Sequence, residues 1–184
     1  YKADVHEGQK TGLFYDQRQN HKFVASLASG KTVLDVFCHV GGFGLAAIAA
    51  GASKVSFVDS SANALDLVRE GASEMMASSK MNIIRGDAFS VLRKLLESDN
   101  SYDIVICDPP AFVTSRKSLN SGLRAYEKIA KLGSSLVREN GILALCSCSQ
   151  LADLKKFRNA CVRGIGRSGR RAQLIYTGFA SADH

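Results

Sequence analysis

The sequence predicts an α/β fold, a mostly parallel sheet with helices on both faces. Three observations predict it. From Thr32 onward, short apolar runs alternate with amphipathic helical patterns. The apolar runs hold few polar positions, so both faces of the sheet need a cover of helices. Glycines and carboxylates recur just after the runs, at the carboxyl ends where such sheets hold ligands.

The elements follow in order. Residues 1–30 are expected to form an N-terminal extension of the domain, a short hairpin around Glu7–Gly12 and then a helix from about Asp16 to Ser29. Asp16 is its candidate N-cap, and Phe23, Leu27 and Ala28 its apolar side. Residues 31–184 form the domain proper. Val33–Phe37 is the first strand. Gly41, Gly42, Phe43 and Gly44 turn it into an alanine-rich helix that Gly51 ends. Val55–Val58 is the second strand, closed by Asp59. Leu65, Val68, Ala72 and Met75 repeat at helical spacing. Asn82–Ile84 is a short third strand, followed by Gly86 and Asp87. Val91, Leu92, Leu95 and Leu96 mark the next helix. Ile104–Cys107 is the fourth strand, ending at Asp108. A long helix carries Leu123, Tyr126, Ile129, Leu132 and Leu136. Ile142–Cys146 is the fifth strand. Leu151, Leu154, Phe157 and Cys161 mark a further helix, and Ala172–Thr177 a sixth strand. Right-handed crossovers bring all the strand ends to one edge.

The chain has 184 residues, enough for one domain with a sizeable core. Apolar residues make up 46% and charged residues 22%, which argues against disorder. The formal charge of +7 favours a polyanionic partner, and simple solubility is the competing explanation. Cations concentrate at Lys155, Lys156, Arg158, Arg163, Arg167, Arg170 and Arg171, with no carboxylate between them. A second group, Arg116, Lys117 and Arg124, follows Asp108. Two groups point toward nucleic acid. Cys38, Cys107, Cys146, Cys148 and Cys161 lack the paired spacing of a zinc site, and His6, His21 and His184 form no metal pattern, so no metal is expected. The odd cysteine count suits reduced thiols in the cytoplasm. No apolar run reaches membrane-spanning length and the opening residues show no basic-then-apolar pattern, so neither a membrane span nor secretion is expected.

Gly41, Gly42 and Gly44 after a strand, with Asp59 closing the next, point to a nucleoside-containing cofactor whose ribose diol Asp59 accepts. The spacing departs from the dinucleotide fingerprint, and Asp35 adds a carboxylate under the turn. Both favour S-adenosyl-L-methionine over NAD, although an NAD-dependent oxidoreductase stays in view. Asp35 either bonds an amino group or orders the glycine turn. Asp87 accepts from an adenine amine, with Ala88 and Phe89 nearby, or caps the next helix, or does both, one by side chain and one by backbone. His39 reads as a loop or packing residue beside the glycines.

In Asp108-Pro109-Pro110-Ala111-Phe112 the prolines stiffen a wall suited to a flat ring. Phe112 either stacks on a base or packs in the core. Cys148 is the candidate nucleophile. A thiolate added to carbon 6 of a pyrimidine activates carbon 5 for a methyl group. A helix beginning near Leu151 would help to lower its pKa. The weaker alternatives are Cys146 as nucleophile, or both cysteines structural.

Thr11–Arg18, Gly41–Gly44, Asp108–Phe112 and Cys146–Ser149 together resemble the S-adenosylmethionine-dependent 23S ribosomal RNA large subunit methyltransferases, in the 5-methylcytosine branch. The resemblance runs from about Glu7 to His184. It implies a Rossmann-like class I methyltransferase domain, with ribosomal RNA as partner and Cys148 as nucleophile. It also implies that Gln17 and Arg18 border the cofactor, with Asp59 at the ribose, Asp87 near adenine, and Asp108 beside the methyl group and target base. The cofactor set is then Gln17, Arg18, Asp35, Phe37, Gly41, Gly42, Gly44, Asp59, Ser60, Asp87, Ala88 and Asp108. The substrate set is Pro109, Pro110, Phe112 and Arg116. The family often has Tyr-Thr where this chain has His39-Val40, and Lys where it has Ala111. It carries an upstream PUA RNA-binding domain and a strand past His184, and both are absent from these 184 residues. Methylation of a guanine nitrogen and a non-catalytic RNA-binding protein are the alternative functions. Oligomeric state is left open.

Overall fold

The computed structural model describes residues 15–181. The expected hairpin lies outside them. A 3-10 turn, Tyr15–Gln17, leads into α1 (Arg18–Ser26). The elements then run β1 (Thr32–Val36), α2 (Gly42–Ala49), β2 (Lys54–Asp59), α3 (Ala62–Glu74), β3 (Met81–Arg85), α4 (Ala88–Glu97), β4 (Tyr102–Cys107), α5 (Leu119–Leu136), β5 (Val137–Leu145) and α6 (Leu154–Arg167). Five strands form one sheet in the order β3-β2-β1-β4-β5, and every pairing is parallel.

Strand alternation sorts the core into two layers. Val33, Val55, Phe57, Ile104 and Ile106 face Val24, Phe43, Leu45, Ile48, Leu65 and Val68 of α1, α2 and α3. Leu34, Val36, Val58, Val105 and Cys107 face Val91, Leu92, Ile129 and Leu136 of α4 and α5. A third cluster, with Val113, Tyr126, Ala152 and Ala160, joins α5 to α6. Gly164 makes that joint close, since a Cβ there would stand 2.2 Å from the Glu127 carbonyl oxygen.

Several expectations are corrected. Asp16 does not cap α1. Gln17 occupies the cap position without a side-chain bond, while the Asp16 carbonyl accepts from the Ser181 amide (2.9 Å) and hydroxyl (3.1 Å). No sixth strand forms among the described residues. Residues 172–177 run back over α1, where Tyr176 stacks on Phe23 with ring centroids 3.9 Å apart. β5 starts earlier than the apolar run, at Val137. Its pairing with β4 slips between Tyr102 and Ile104, and Asn140 there has φ of 59°. This is an irregularity of register at a sheet edge, invisible to a search for apolar alternation. α3 ends at Glu74, leaving Met75 as an exposed cap rather than a core residue.

Gly44 fixes the seat of α2 on β2, because a Cβ would lie 2.2 Å from Cε1 of the fully buried Phe57. Gly44→Ala should therefore lose about 1–3 kcal/mol in chemical denaturation, the usual cost of overpacking. Gly166→Ala, in α6 with nothing within 4 Å, should be neutral or gain up to about 1 kcal/mol. Equal effects at the two positions would contradict this assignment.

Candidate active site

β1 delivers Asp35 to the α1–α2–α3 side of the sheet, where it is 1% exposed. Its Oδ2 accepts the Gly44 amide at 2.8 Å. Its Oδ1 is buried with no hydrogen-bond partner among the described residues. Burial pushes this carboxyl up to about 7, against the pull of the Gly44 amide, and the charges of Asp108 and Asp59 add to the rise. Asp35 thus does order the glycine turn, and one oxygen is left over.

The chain turns sharply after β1. Phe37 and His39, neither of them glycine, have φ of 61° and 49°, and Gly41 has 83°. Left-handed backbone costs an L-residue about 1 kcal/mol or more, so the turn must be held from outside. Cys38 N–H donates to the Val58 carbonyl (3.1 Å), Gly41 N–H to the Cys38 carbonyl (2.7 Å) and His39 N–H to Asp59 Oδ2 (2.9 Å). Asp59 Oδ1 accepts the Ser61 amide at 2.9 Å. One carboxylate therefore joins the turns after β1 and β2, and each of its oxygens keeps a lone pair for another donor.

The three glycines differ in role. Gly41 is required by its φ. Gly42 and Gly44 are required by packing: a Cβ on Gly42 would stand 2.6 Å from His21 Cε1, and one on Gly44 would meet Phe57. His21 is buried edge-on against Phe43 (4.3 Å), and burial lowers its pKa to about 4, with Asp16 opposing. This contact is not legible in the sequence, because nothing local links His21 to Gly42.

Asp87 is the N-cap of α4. Its Oδ1 accepts the Ser90 amide (2.9 Å) and hydroxyl (2.8 Å), which hold its carboxyl below the usual range. Ala88, the first residue of α4, is buried. Ser60 lies just past Asp59, its carbonyl accepting Arg85 Nε at 3.4 Å.

Asp108 follows β4, beside the end of β1, its amide donating to the Val36 carbonyl at 3.2 Å. Gln17 Nε2 donates to its Oδ1 at 3.4 Å, so the segment before α1 reaches this edge. Arg18 is the exposed first residue of α1. Burial pushes the Asp108 carboxyl up to about 7. The Asp16 charge adds to this, and a hydrogen bond with the Cys146 thiol opposes it.

The thiols separate clearly. Burial pushes Cys38, Cys107 and Cys146 well above the ordinary thiol range, and Cys161 up to about 12. Cys146 faces Asp108 and Gln17. Cys148 is exposed, and its Sγ lies 3.9 Å from the Pro109 carbonyl oxygen. α6 begins only at Leu154, and its first turn is capped by Asp153, which accepts the Lys156 amide at 2.8 Å. The expected helix N-terminus at Leu151 is therefore not beside Cys148.

Another device holds the cysteine loop, and sequence reasoning missed it. The Ser147 hydroxyl donates to the Tyr126 hydroxyl (2.8 Å), which shares a 2.7 Å hydrogen bond with the Ser149 hydroxyl. Ser149 Oγ also accepts the Val113 amide at 3.1 Å. The residues on both sides of Cys148 are thus tied to fully buried Tyr126, and through Val113 to the loop after Pro109 and Pro110. Phe112 packs among Phe37 (6.2 Å), Phe89 (6.0 Å) and Tyr126 (4.9 Å), so the packed alternative describes its ring. Pro109 is buried, while Pro110 and Arg116 are exposed. Among the described residues, no group of three His, Cys, Asp or Glu is placed to hold a metal. No helix there is long and apolar enough to cross a membrane.

Residues 1–154 match the S-adenosylmethionine-dependent methyltransferase family. The chain belongs to that family. It is 36% identical over 183 residues to ribosomal RNA large subunit methyltransferase I of Aeromonas hydrophila, covering 99% of this chain and 46% of the relative. It is also 36% identical over 185 residues to a ribosomal RNA large subunit methyltransferase of Deinococcus radiodurans, covering 100% of this chain and 45% of that one. The chain thus spans about half the length of the curated relatives it matches. Its fold resembles a methyltransferase crystallised with SAH, at TM-score 0.78, 26% identity, and coverage of 88% of this chain and 43% of the other. A Streptococcus mutans SAM-dependent methyltransferase matches at TM-score 0.75 and 26% identity, covering 84% of this chain and 40% of the other.

The edge fits the family's cofactor. The orphaned Asp35 Oδ1, buried beneath the glycine turn, is suited to a cation such as an amino acid ammonium. The Asp59 carboxylate, still able to accept, is suited to a diol.

Tyr126→Phe keeps the ring and removes the hydroxyl that the two serines share. Chemical denaturation should show a loss of about 1–3 kcal/mol, the cost of buried hydroxyls left unmatched. Ser135→Ala, which removes only an exposed bond within its own helix, should change stability by less than about 0.5 kcal/mol. A Tyr126→Phe protein as stable as its parent would show that the hydroxyl network holds nothing.

Proposed function

We propose that this chain methylates carbon 5 of a cytosine in ribosomal RNA, of the 23S type, through a covalent adduct with Cys148. The observation that carries the reading is the position of the Cys148 thiol. It is exposed at the Asp-Pro-Pro wall, while the other four thiols are held away from ionisation by burial. The names of the relatives supply the ribosomal RNA.

Gln17, Arg18, Asp35, Phe37, Asp59, Ser60, Asp87, Ala88, Asp108 and the Gly41–Gly44 turn would hold the cofactor. S-adenosylmethionine, when bound, supplies an electrophilic methyl group. Pro109 and Pro110 give the target ring a rigid wall, with Arg116 at its mouth and Phe112 packed behind it. The Cys148 thiolate adds to carbon 6 and makes carbon 5 nucleophilic. Carbon 5 would form its new bond to the methyl carbon as that carbon's bond to the cofactor sulfur breaks, the electron pair staying on the sulfur. A base then removes the carbon 5 proton, the ring's double bond re-forms, and the thiolate leaves. Asp108, with its carboxyl pushed up to about 7, is suited to hold or take a proton beside the ring near neutral pH.

Methylation of a guanine nitrogen is the competing reading, since a carboxylate and a prolyl carbonyl also suit an exocyclic amine. Cys148→Ala separates the two. The account expects methyl transfer to an rRNA transcript to fall at least about a hundredfold, with S-adenosylmethionine affinity by calorimetry unchanged, whereas Cys146→Ala keeps methyl transfer. Full activity of Cys148→Ala would sink the covalent route.

A further inference from the structure

The basic run between Lys155 and Arg171 does not form one patch. Lys156 pairs with Asp153, the cap of its own helix. Arg158 reaches Thr177 at 3.4 Å, and Arg170 donates to the Val137 carbonyl at the sheet edge. Arg163 and Arg167 turn toward α5, where both pair with Glu127, a side chain 10% exposed.

On α5 they meet a second row. Arg124, Lys128 and Lys131 are exposed and spaced i, i+4, i+7, so they share one helix face. Arg124, Lys128, Lys131 and Arg167 surround a depression of about 210 Å3 with Glu127. Five cations thus converge on one carboxylate. Like charges at this spacing repel by about 0.2–0.5 kcal/mol per pair, and a row of phosphates would relieve that. A merely solvated helix face would turn its cations apart and leave them unheld. Here Glu127 orients two of them, and the Phe89 ring holds Lys128, with Nζ 5.1 Å from its centroid.

The row also leads to the site. Phe89 packs on Phe112 and Phe37. The first turns of α5 lie on the Phe112–Val113 loop, so close that a Cβ on Gly122 would stand 2.5 Å from the Phe112 carbonyl oxygen. α5 then runs back from the carboxyl edge to the start of β5.

We propose that this α5–α6 face is a phosphate track, and that its cations contact the sugar–phosphate backbone of the RNA whose target base reaches Cys148. The inference rests on the RNA reading above but not on the chemistry of the cysteine. Contacts of this kind set register and orientation rather than sequence choice.

The test reads binding of this chain to a large-subunit rRNA transcript across a series of KCl concentrations. One variant carries Arg124→Gln, Lys128→Gln and Lys131→Gln. A control carries the same charge change at Lys31→Gln, Lys54→Gln and Lys80→Gln, exposed positions outside the track. Each lost phosphate contact lowers the slope of log affinity against log salt by about 0.7 on single strands, so the track variant should lose about 2 from its slope. The control should keep the parent slope, and so should Cys148→Ala. Thermal melts matching the parent show that both triple variants are folded, and Lys128→Gln alone should lose about 0.7. An unchanged slope in the track variant, or an equal fall in the control, overturns the proposal. Because methyl transfer is not the readout, failure of the cytosine chemistry and failure of the track give different results.

Discussion

All five strands run the same way, so their carboxyl ends must meet along one edge of the sheet. The site depends on that constraint. Residues far apart in sequence become neighbours because each follows a strand. Asp59 follows Val58, which pairs with Val36, and Asp108 follows Cys107, which pairs with both Val36 and Leu145. Cys146 is then the next residue after Leu145, and its amide donates to the Cys107 carbonyl at 2.9 Å. Three hydrogen-bonding carboxylates and a thiol loop converge there.

A tight edge brings a cost, because carboxylates repel and lose solvation together. Asp35 and Asp108 are both pushed up to about 7, chiefly by burial. The backbone shows the same tension in the left-handed conformations of Phe37 and His39. Such groups persist only where surrounding structure over-determines them. Here the holding contacts are visible: the Gly44 amide on Asp35, the His39 and Ser61 amides on Asp59, and Gln17 and the Cys146 thiol on Asp108. Cys146 thus serves as a hydrogen-bond partner of the carboxyl beside the proposed target ring.

Much of this was legible in the sequence. The parallel sheet and its helix cover follow from apolar runs alternating with helical patterns, and Asp59, Asp87 and Asp108 announce themselves by their places at strand ends. What was not legible depends on contacts between distant residues. The Tyr126 hydroxyl looked like one more core position on α5, since its serine partners lie beyond β5. Gly42 and Gly44 looked like ligand-facing glycines, whereas His21 and Phe57 explain them by packing. Residues 172–177 have strand-like composition, yet Tyr176 stacks on Phe23 instead of the chain joining the sheet. The basic run was visible as composition, but its division among a helix cap, a sheet edge and the α5 face is a matter of tertiary geometry.

The proposed chemistry requires the thiol of Cys148 to bond to a cytosine ring during methyl transfer. An rRNA transcript made with 5-fluorocytidine tests it most directly. Fluorine at carbon 5 cannot leave as a proton does, so a covalent intermediate would stall on the protein. With S-adenosylmethionine present, a stable protein–RNA adduct should form, mapped by mass spectrometry of the digested protein to the peptide carrying Cys148 and absent from Cys148→Ala. Methyl transfer to such a transcript without an adduct, or an adduct mapped to Cys146, would contradict it.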